Sequence, residues 1–288
     1  MEVVIPHTPR NNELLRRNIP FLLKYLPSDS LWILTDAENV KALGFFANGS
    51  VHLVDEDSVL PGLTLGGVKS FFSGSSVPPT RVGWYYQQFL KMAWALRADS
   101  SEWYLVWDSD TFPLRPIEAF GESGLPFFST RKEFNPVYFE TIKRLLGIEK
   151  IASRSFIAEY MTINRDMMRS LIAEIEAKNE IAGESFWEKI TSAALSSSDP
   201  YRAFSEYETY GTYFSVRKPC SYEEATRKTS RKGARRFGLK PGTKDLARLA
   251  RRFDIVSFER WDRIYMPIIL VNKMLSVLIY PFLRERRA

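Results

Sequence analysis

The stretch Trp103-Tyr104-Leu105-Val106-Trp107-Asp108-Ser109-Asp110-Thr111 is an apolar run that stops at two carboxylates one residue apart. An unbroken apolar run of this length reads as a strand buried on both faces, as in a parallel sheet. Ending such a strand in Asp-x-Asp delivers two hard oxygen ligands to the edge of the sheet, where a divalent cation can bridge protein and phosphate. The same residues also read as a strand followed by a solvated turn, because Asp, Ser and Thr are ordinary turn residues and Pro113 follows closely. Asp-x-Asp alone decides nothing, so the surrounding chain must.

Outward from that stretch, strands and helices alternate. Residues 2 to 6 read as a short strand. Residues 11 to 26 have helical spacing through Leu14, Leu15, Ile19, Leu22, Leu23 and Leu26, and Leu31–Leu34 reads as a second strand ending at Thr35-Asp36. This is a βαβ opening. Val51–Val54 reads as a third strand, Gly62 to Pro79 as a Gly/Ser/Pro-rich loop, and Trp84 to Leu96 as an aromatic-rich helix leading into the Asp-x-Asp strand. Further strands are expected at Pro126–Ser129 and Met161–Asn164, with a helix at residues 165 to 178. The order predicts a mostly parallel sheet flanked by helices, with ligands at the carboxyl ends of strands, where Asp36 and Asp108 fall.

Composition narrows the chemistry. The chain has 288 residues, 45% of them hydrophobic, enough for one sizeable domain or a domain with an appendage. Its one cysteine, Cys220, excludes a disulfide framework within the chain. Two histidines, His7 and His52, leave little room for histidine-centred zinc chemistry or a Ser-His-Asp triad. The first residues carry no basic segment followed by a long apolar core, so no signal peptide is read and the cytoplasm is the expected compartment.

Charge is uneven along the chain. Residues 227 to 288 hold 17 Lys/Arg against 5 Asp/Glu, a net of +12, so the rest of the chain carries −6. This tail starts with Arg227, Lys228, Arg231, Lys232, Arg235 and Arg236, continues through Arg248, Arg251 and Arg252, and turns apolar from Tyr265 to Leu283. Asn272 and Lys273 interrupt the apolar part, and Pro267 and Pro281 bracket it, which suits an in-plane amphipathic helix on an anionic membrane surface rather than a span. The other readings are a helix packed on the body or on a second subunit as a homodimer contact and, less favoured, a nucleic-acid patch. The expected division is a catalytic domain at 1–220 and a basic, amphipathic helical region at 221–288.

Three blocks in order carry a resemblance: Arg81-Val82-Gly83-Trp84-Tyr85-Tyr86-Gln87-Gln88-Phe89-Leu90-Lys91, then Val106-Trp107-Asp108-Ser109-Asp110-Thr111, then Phe204-Ser205-Glu206-Tyr207-Glu208-Thr209-Tyr210-Gly211. With them the chain resembles bacterial nucleotide-sugar glycosyltransferases of the GT-A fold, more narrowly a poorly characterised family found with surface-polysaccharide genes. The likeness covers about residues 1 to 220.

The resemblance implies a Rossmann-like GT-A fold, a nucleotide-sugar donor, a glycan or lipid-linked glycan acceptor, and Mn²⁺ or Mg²⁺ held against the donor diphosphate by Asp108 and Asp110. Asp110 is the expected direct ligand, with Asp108 reaching the ribose or a water on the metal and Ser109 beside them. No histidine follows His52, so the late metal-binding histidine of many such enzymes has no counterpart here. The resemblance also places His7, Thr8 and Arg10 near the nucleotide base and Asp36 on base or ribose. On the helix before the strand, Gln88 and Lys91 lie at i, i+3 and Trp84 and Gln87 on a neighbouring stripe, so Arg81, Gln88 and Lys91 are candidates for phosphate or sugar. Trp84 and its aromatic neighbours read equally as core.

Ser205-Glu206-Tyr207-Glu208 corresponds to the acidic block beneath the acceptor in inverting enzymes of this fold, where Glu206, ahead of Glu208, would take the acceptor hydroxyl proton. Ser205 alternatively caps a helix with two favourable acids in its first turn. Residues 130 to 136 and 156 to 160 would border the acceptor. The expectation is metal-dependent sugar transfer, with inversion, at the inner face of a membrane. Two alternatives stand beside it: a catalytically inactive membrane-surface scaffold, and a haloacid-dehalogenase-like phosphatase with Asp108 as nucleophile and Asp110 as general acid. The second sits poorly with the roughly 100 residues that precede the motif.

Overall fold

The computed structural model describes residues 1–260, 262 and 265–284, with side chains as far as Ile279. The chain divides into two compact units. The first comprises Met1–His7, Ser30–Trp107 and Ala119–Ala225; the second comprises Thr8–Asp29, Asp108–Glu118 and Thr226–Ala288. The basic tail therefore shares its unit with two earlier stretches of chain.

The first unit is built on a five-stranded sheet in the order Val51–Asp55, Leu31–Thr35, Glu2–Pro6, Trp103–Trp107, Tyr160–Asn164. The first four strands run parallel and the last antiparallel to its neighbour. This is the expected α/β architecture with a mostly parallel sheet. The central strands read as continuous apolar runs because helices cover both faces: Val3, Val4, Ile5, Tyr104, Leu105, Val106 and Trp107 are all fully buried.

The helix Pro79–Ala93 starts a turn earlier than its aromatic pattern suggests, since proline at the first position gives up no hydrogen bond. It ends in a short 3₁₀ turn, Trp94–Leu96. The stretch expected to be a loop at 62 to 79 contains a helix, Leu65–Phe71, capped by the Thr64 hydroxyl, which accepts from Gly67 N at 3.0 Å. Gly66 and Gly67 masked it, but Val68 is buried and Leu65 and Phe71 pack on the main core. Helices Ala37–Leu43, Pro136–Leu146 and Phe186–Leu195 were also not evident from periodicity. Helix Arg165–Glu176 lies where it was expected.

The second unit holds the helix Asn12–Tyr25, so the opening βαβ pairs its strands in one unit while its helix belongs to the other. Here Ile255–Ser257 pairs antiparallel with Thr111–Pro113 and parallel with Thr229–Ser230. Leu14, Phe112, Leu114, Phe237, Leu246, Leu249, Val256 and Phe258 form its core. The helix Met266–Arg284 covers the expected amphipathic segment and runs through Pro281. The side chains of Tyr280, Pro281 and Leu283, part of the predicted apolar segment, lie outside the described residues.

Candidate active site

The Asp-x-Asp turn is held by its backbone. Thr111 N donates to Asp108 O at 3.0 Å and Phe258 N to Asp110 O at 2.9 Å. The buried Asn18 amide donates to Ser109 O at 3.2 Å and Thr111 O at 2.8 Å, and the Thr111 and Ser257 hydroxyls meet at 2.7 Å. Ser109 is buried, while Asp108 and Asp110 are half-buried. The peptide groups are thus fixed and the two carboxylates are carried on a rigid turn. Asn18 escaped the sequence reading because nothing distinguishes a buried amide at its position in a leucine-rich helix.

Among the described residues no three His, Cys, Asp or Glu side chains cluster in a way that could hold a metal. Two carboxylates in a half-buried turn still suit Mg²⁺ or Mn²⁺, which commonly take one or two carboxylates and fill the remaining positions with water and substrate phosphate. Thr8 and Arg10, in the same unit, are exposed. Arg260 holds this segment, donating to the Arg10 carbonyl and to Asn11 Oδ1.

In the first unit, His7 and Asp36 follow the ends of adjacent strands, and His7 N donates to Leu34 O at 2.8 Å. His7 is buried. Asp36 caps the helix Ala37–Leu43, accepting from Asn39 N at 2.9 Å. Past the end of the neighbouring strand lies Glu56, whose carboxyl pKa burial, together with Asp57, Asp36 and Asp55, pushes up to about 7. Asp57 accepts from the Tyr86 hydroxyl at 2.7 Å and from Leu65 N at 3.1 Å. Glu56 was overlooked, although the run Asp55-Glu56-Asp57 after a strand was the available signal.

Of the helix residues expected to face phosphate or sugar, Gln88 and Lys91 meet the start of the helix Glu206–Arg217. Gln88 Oε1 accepts from Glu206 N at 3.1 Å, and its amide donates to Trp84 O. Lys91 Nζ donates to Glu206 Oε1 at 2.7 Å and to the Tyr207 hydroxyl at 3.0 Å. Arg81 lies over the Trp84 ring at 3.4 Å and donates to Tyr201 O at 2.8 Å. Burial holds its guanidinium pKa below the ordinary value. Gln87 is half-buried.

The two acids considered for the base role, Glu206 ahead of Glu208, differ in surroundings. Glu206 begins its helix and Ser205 caps it, accepting from Glu208 N at 3.3 Å. Glu208 is fully buried, and both its oxygens are engaged: Oε1 by Lys150 at 2.5 Å, Oε2 by the Ser155 hydroxyl at 2.6 Å and Phe156 N at 3.0 Å. That network fixes the loop expected to border an acceptor. Gly211 explains the glycine in the third block, because a Cβ there would lie 2.3 Å from Phe156 Cγ.

Several solved structures resemble the chain. Mouse xyloside xylosyltransferase 1, apo form, has 12% identity and a TM-score of 0.45, covering 92% of this chain and 100% of that one. The galactosyltransferase LgtC, in complex with donor and acceptor sugar analogues, has 11% identity and a TM-score of 0.42, covering 96% and 95%. The bifunctional glycosyltransferase WbbM, in its apo structure, has 10% identity and a TM-score of 0.46, covering 94% of this chain and 49% of that one. No curated protein matches in sequence. A family model matches residues 1–231, which ends just inside the basic tail, and the chain therefore belongs to the family of unknown function DUF6492.

Proposed function

We propose that this chain is a nucleotide-sugar glycosyltransferase of the GT-A type, acting on a glycan or lipid-linked glycan of surface-polysaccharide assembly. The observation that carries the reading is the place of the Asp-x-Asp strand. Trp103–Trp107 lies beside Glu2–Pro6, where the strand order of the sheet reverses, and Asp108 is the next residue along the chain. In open α/β sheets the carboxyl ends of strands at such a reversal are where ligands bind. The three sequence blocks supply the second support.

In this reading Asp110 and Asp108 hold Mg²⁺ or Mn²⁺, which when bound offsets the negative charge gathering on the departing nucleotide diphosphate. The chain's own contribution is position. Asn18, Ser257 and Phe258 keep the turn rigid, so the carboxylates need not reorganise when the donor arrives. Glu206 is assigned as the general base for the acceptor hydroxyl, its carboxylate held by Lys91 and its backbone N–H by Gln88, and a base of this kind belongs to transfer with inversion at the anomeric carbon. Glu208 is assigned to hold the loop at Ser155-Phe156.

The test is a panel of UDP-, GDP-, CMP- and dTDP-sugars incubated with the purified full chain, with and without Mn²⁺, following release of free nucleotide. Release with one nucleotide class, raised by the metal, supports the reading; no release with any donor, alone or with glycan acceptors, contradicts it.

A further inference from the structure

A cavity of about 810 Å³ opens in the second unit among the helices Gly233–Phe237, Thr243–Leu249 and Met266–Arg284. Six cationic side chains line it: Lys232, Arg235, Arg236, Arg248, Arg251 and Arg252. None of its described lining residues is acidic. Nearby carboxylates serve other groups, Asp245 taking Gly242 N and Lys273, and Asp262 taking Arg235 N. So many like charges around one opening repel each other unless an anion occupies it.

The wall formed by Met266–Arg284 has two faces. Ile269 and Ser276 are buried, and Asn272 bonds to Arg236 O and accepts from Arg248, which fixes that face on the unit. On the opposite side Met266, Leu270, Val271, Met274, Val277 and Leu278 are exposed, with Leu270, Met274 and Leu278 each about 60% accessible. Their spacing of four, one, three, three and one residues from Met266 through Leu278 makes a continuous stripe. Among the described residues no helix is long and apolar enough to cross a membrane.

We infer that the apolar stripe of Met266–Arg284 docks in the plane of an anionic phospholipid surface, entering the acyl boundary while the cations around the neighbouring cavity attract the headgroup phosphates. Charge complementarity selects this occupant. A second copy of the chain, paired through the stripe, would bring two sets of six cations to the rim of one interface. Nucleic acid would satisfy the cations and leave the stripe in water. Guanidinium groups suit phosphate oxygens because they present paired donors, and five of the six cations are arginines. The inference does not depend on sugar transfer.

The experiment is co-sedimentation of the full chain with phosphatidylglycerol-rich vesicles and with pure phosphatidylcholine vesicles, beside the variants Arg251→Glu/Arg252→Glu and Leu270→Asp/Met274→Asp. These positions are exposed, so thermal unfolding should not change. Binding is expected to the anionic vesicles only, to weaken about tenfold or more in each variant, and to fall with added salt. As a readout that does not depend on those variants, Cys220→Ser/Leu270→Cys carrying a polarity-sensitive dye should shift to the blue on anionic vesicles. Equal binding to neutral vesicles, a dye unmoved by the anionic ones, or undiminished binding after Leu270→Asp/Met274→Asp would overturn the inference. So would tighter binding to a single-stranded oligonucleotide than to vesicles, or a dimer in solution that the aspartate variant dissociates.

Discussion

Lys91 Nζ lies 2.7 Å from Glu206 Oε1, with both side chains almost fully removed from solvent. The pair ties two of the three sequence blocks together, one near the end of the helix Pro79–Ala93 and the other at the start of the helix Glu206–Arg217. The Tyr207 hydroxyl takes a second Lys91 donor at 3.0 Å, and the ammonium lies 4.4 Å from the Tyr207 ring centre. Removing one partner of a buried ion pair costs about 3–5 kcal/mol. Lys91→Met should therefore lower stability by that order in urea unfolding, and Lys91→Met/Glu206→Leu should recover most of it.

Glu206→Gln separates chemistry from architecture. The amide oxygen still accepts from Lys91, so the unfolding midpoint should fall less than in Lys91→Met. If Glu206 removes the acceptor proton, kcat should fall about 10²–10⁴-fold with KM for the donor little changed. A loss confined to KM would assign Glu206 to positioning alone.

Gly211 is a packing requirement. Its helix passes so close to Phe156 that a methyl group would overlap the ring, at 2.3 Å from Cγ and 2.4 Å from Cδ2. Gly211→Ala should destabilise the chain by about 1–3 kcal/mol, measured by chemical denaturation. Phe156→Leu in the same chain should relieve part of that cost.

Glu56 gives the fold a pH dependence. Its carboxyl has an ordinary pKa near 4.5 and titrates near 7 in the folded chain, so between these values the folded state holds a proton that the unfolded state has released. Stability from this group is complete below pH about 4.5 and is lost as pH rises through about 7. Glu56→Gln should flatten that slope and raise stability at neutral pH by an amount on the order of 2–3 kcal/mol. Unfolding free energies at a series of pH values check both.

Much of the sheet was legible because its strands are short, apolar and separated by turn residues. Glu2–Pro6, Leu31–Thr35, Val51–Asp55 and Trp103–Trp107 fall within a residue or two of their expected positions. The helix Leu65–Phe71 was hidden because two glycines and a flanking run of Gly, Ser and Pro carry the local signal of a loop, while burial of Val68 decides the outcome. Chain order also concealed the separation of Asn12–Tyr25 from the strands that flank it, since local pattern carries no information on which core a helix joins.

Residue types in the candidate site were legible, but their partners were not. Lys91 and Glu206 are 115 residues apart, and only folding brings the ammonium to the carboxylate. The sequence put Glu206 ahead of Glu208 but carried nothing of their partners, and in the fold three donors hold Glu208. Asn18 and Glu56 were missed for the same reason, because their significance lies in the Ser109 and Thr111 carbonyls and in the neighbouring acids.

The central claim is that Asp108 and Asp110 form a metal-dependent donor site. Its most direct test is a calorimetric titration of the wild-type chain and Asp110→Ala with the nucleotide diphosphate of the active donor class, with and without Mn²⁺. The account predicts saturable binding to the wild-type chain that requires the metal and is lost in Asp110→Ala, with the variant's thermal unfolding unchanged. Equal binding by the two proteins, or binding indifferent to the metal, would contradict it.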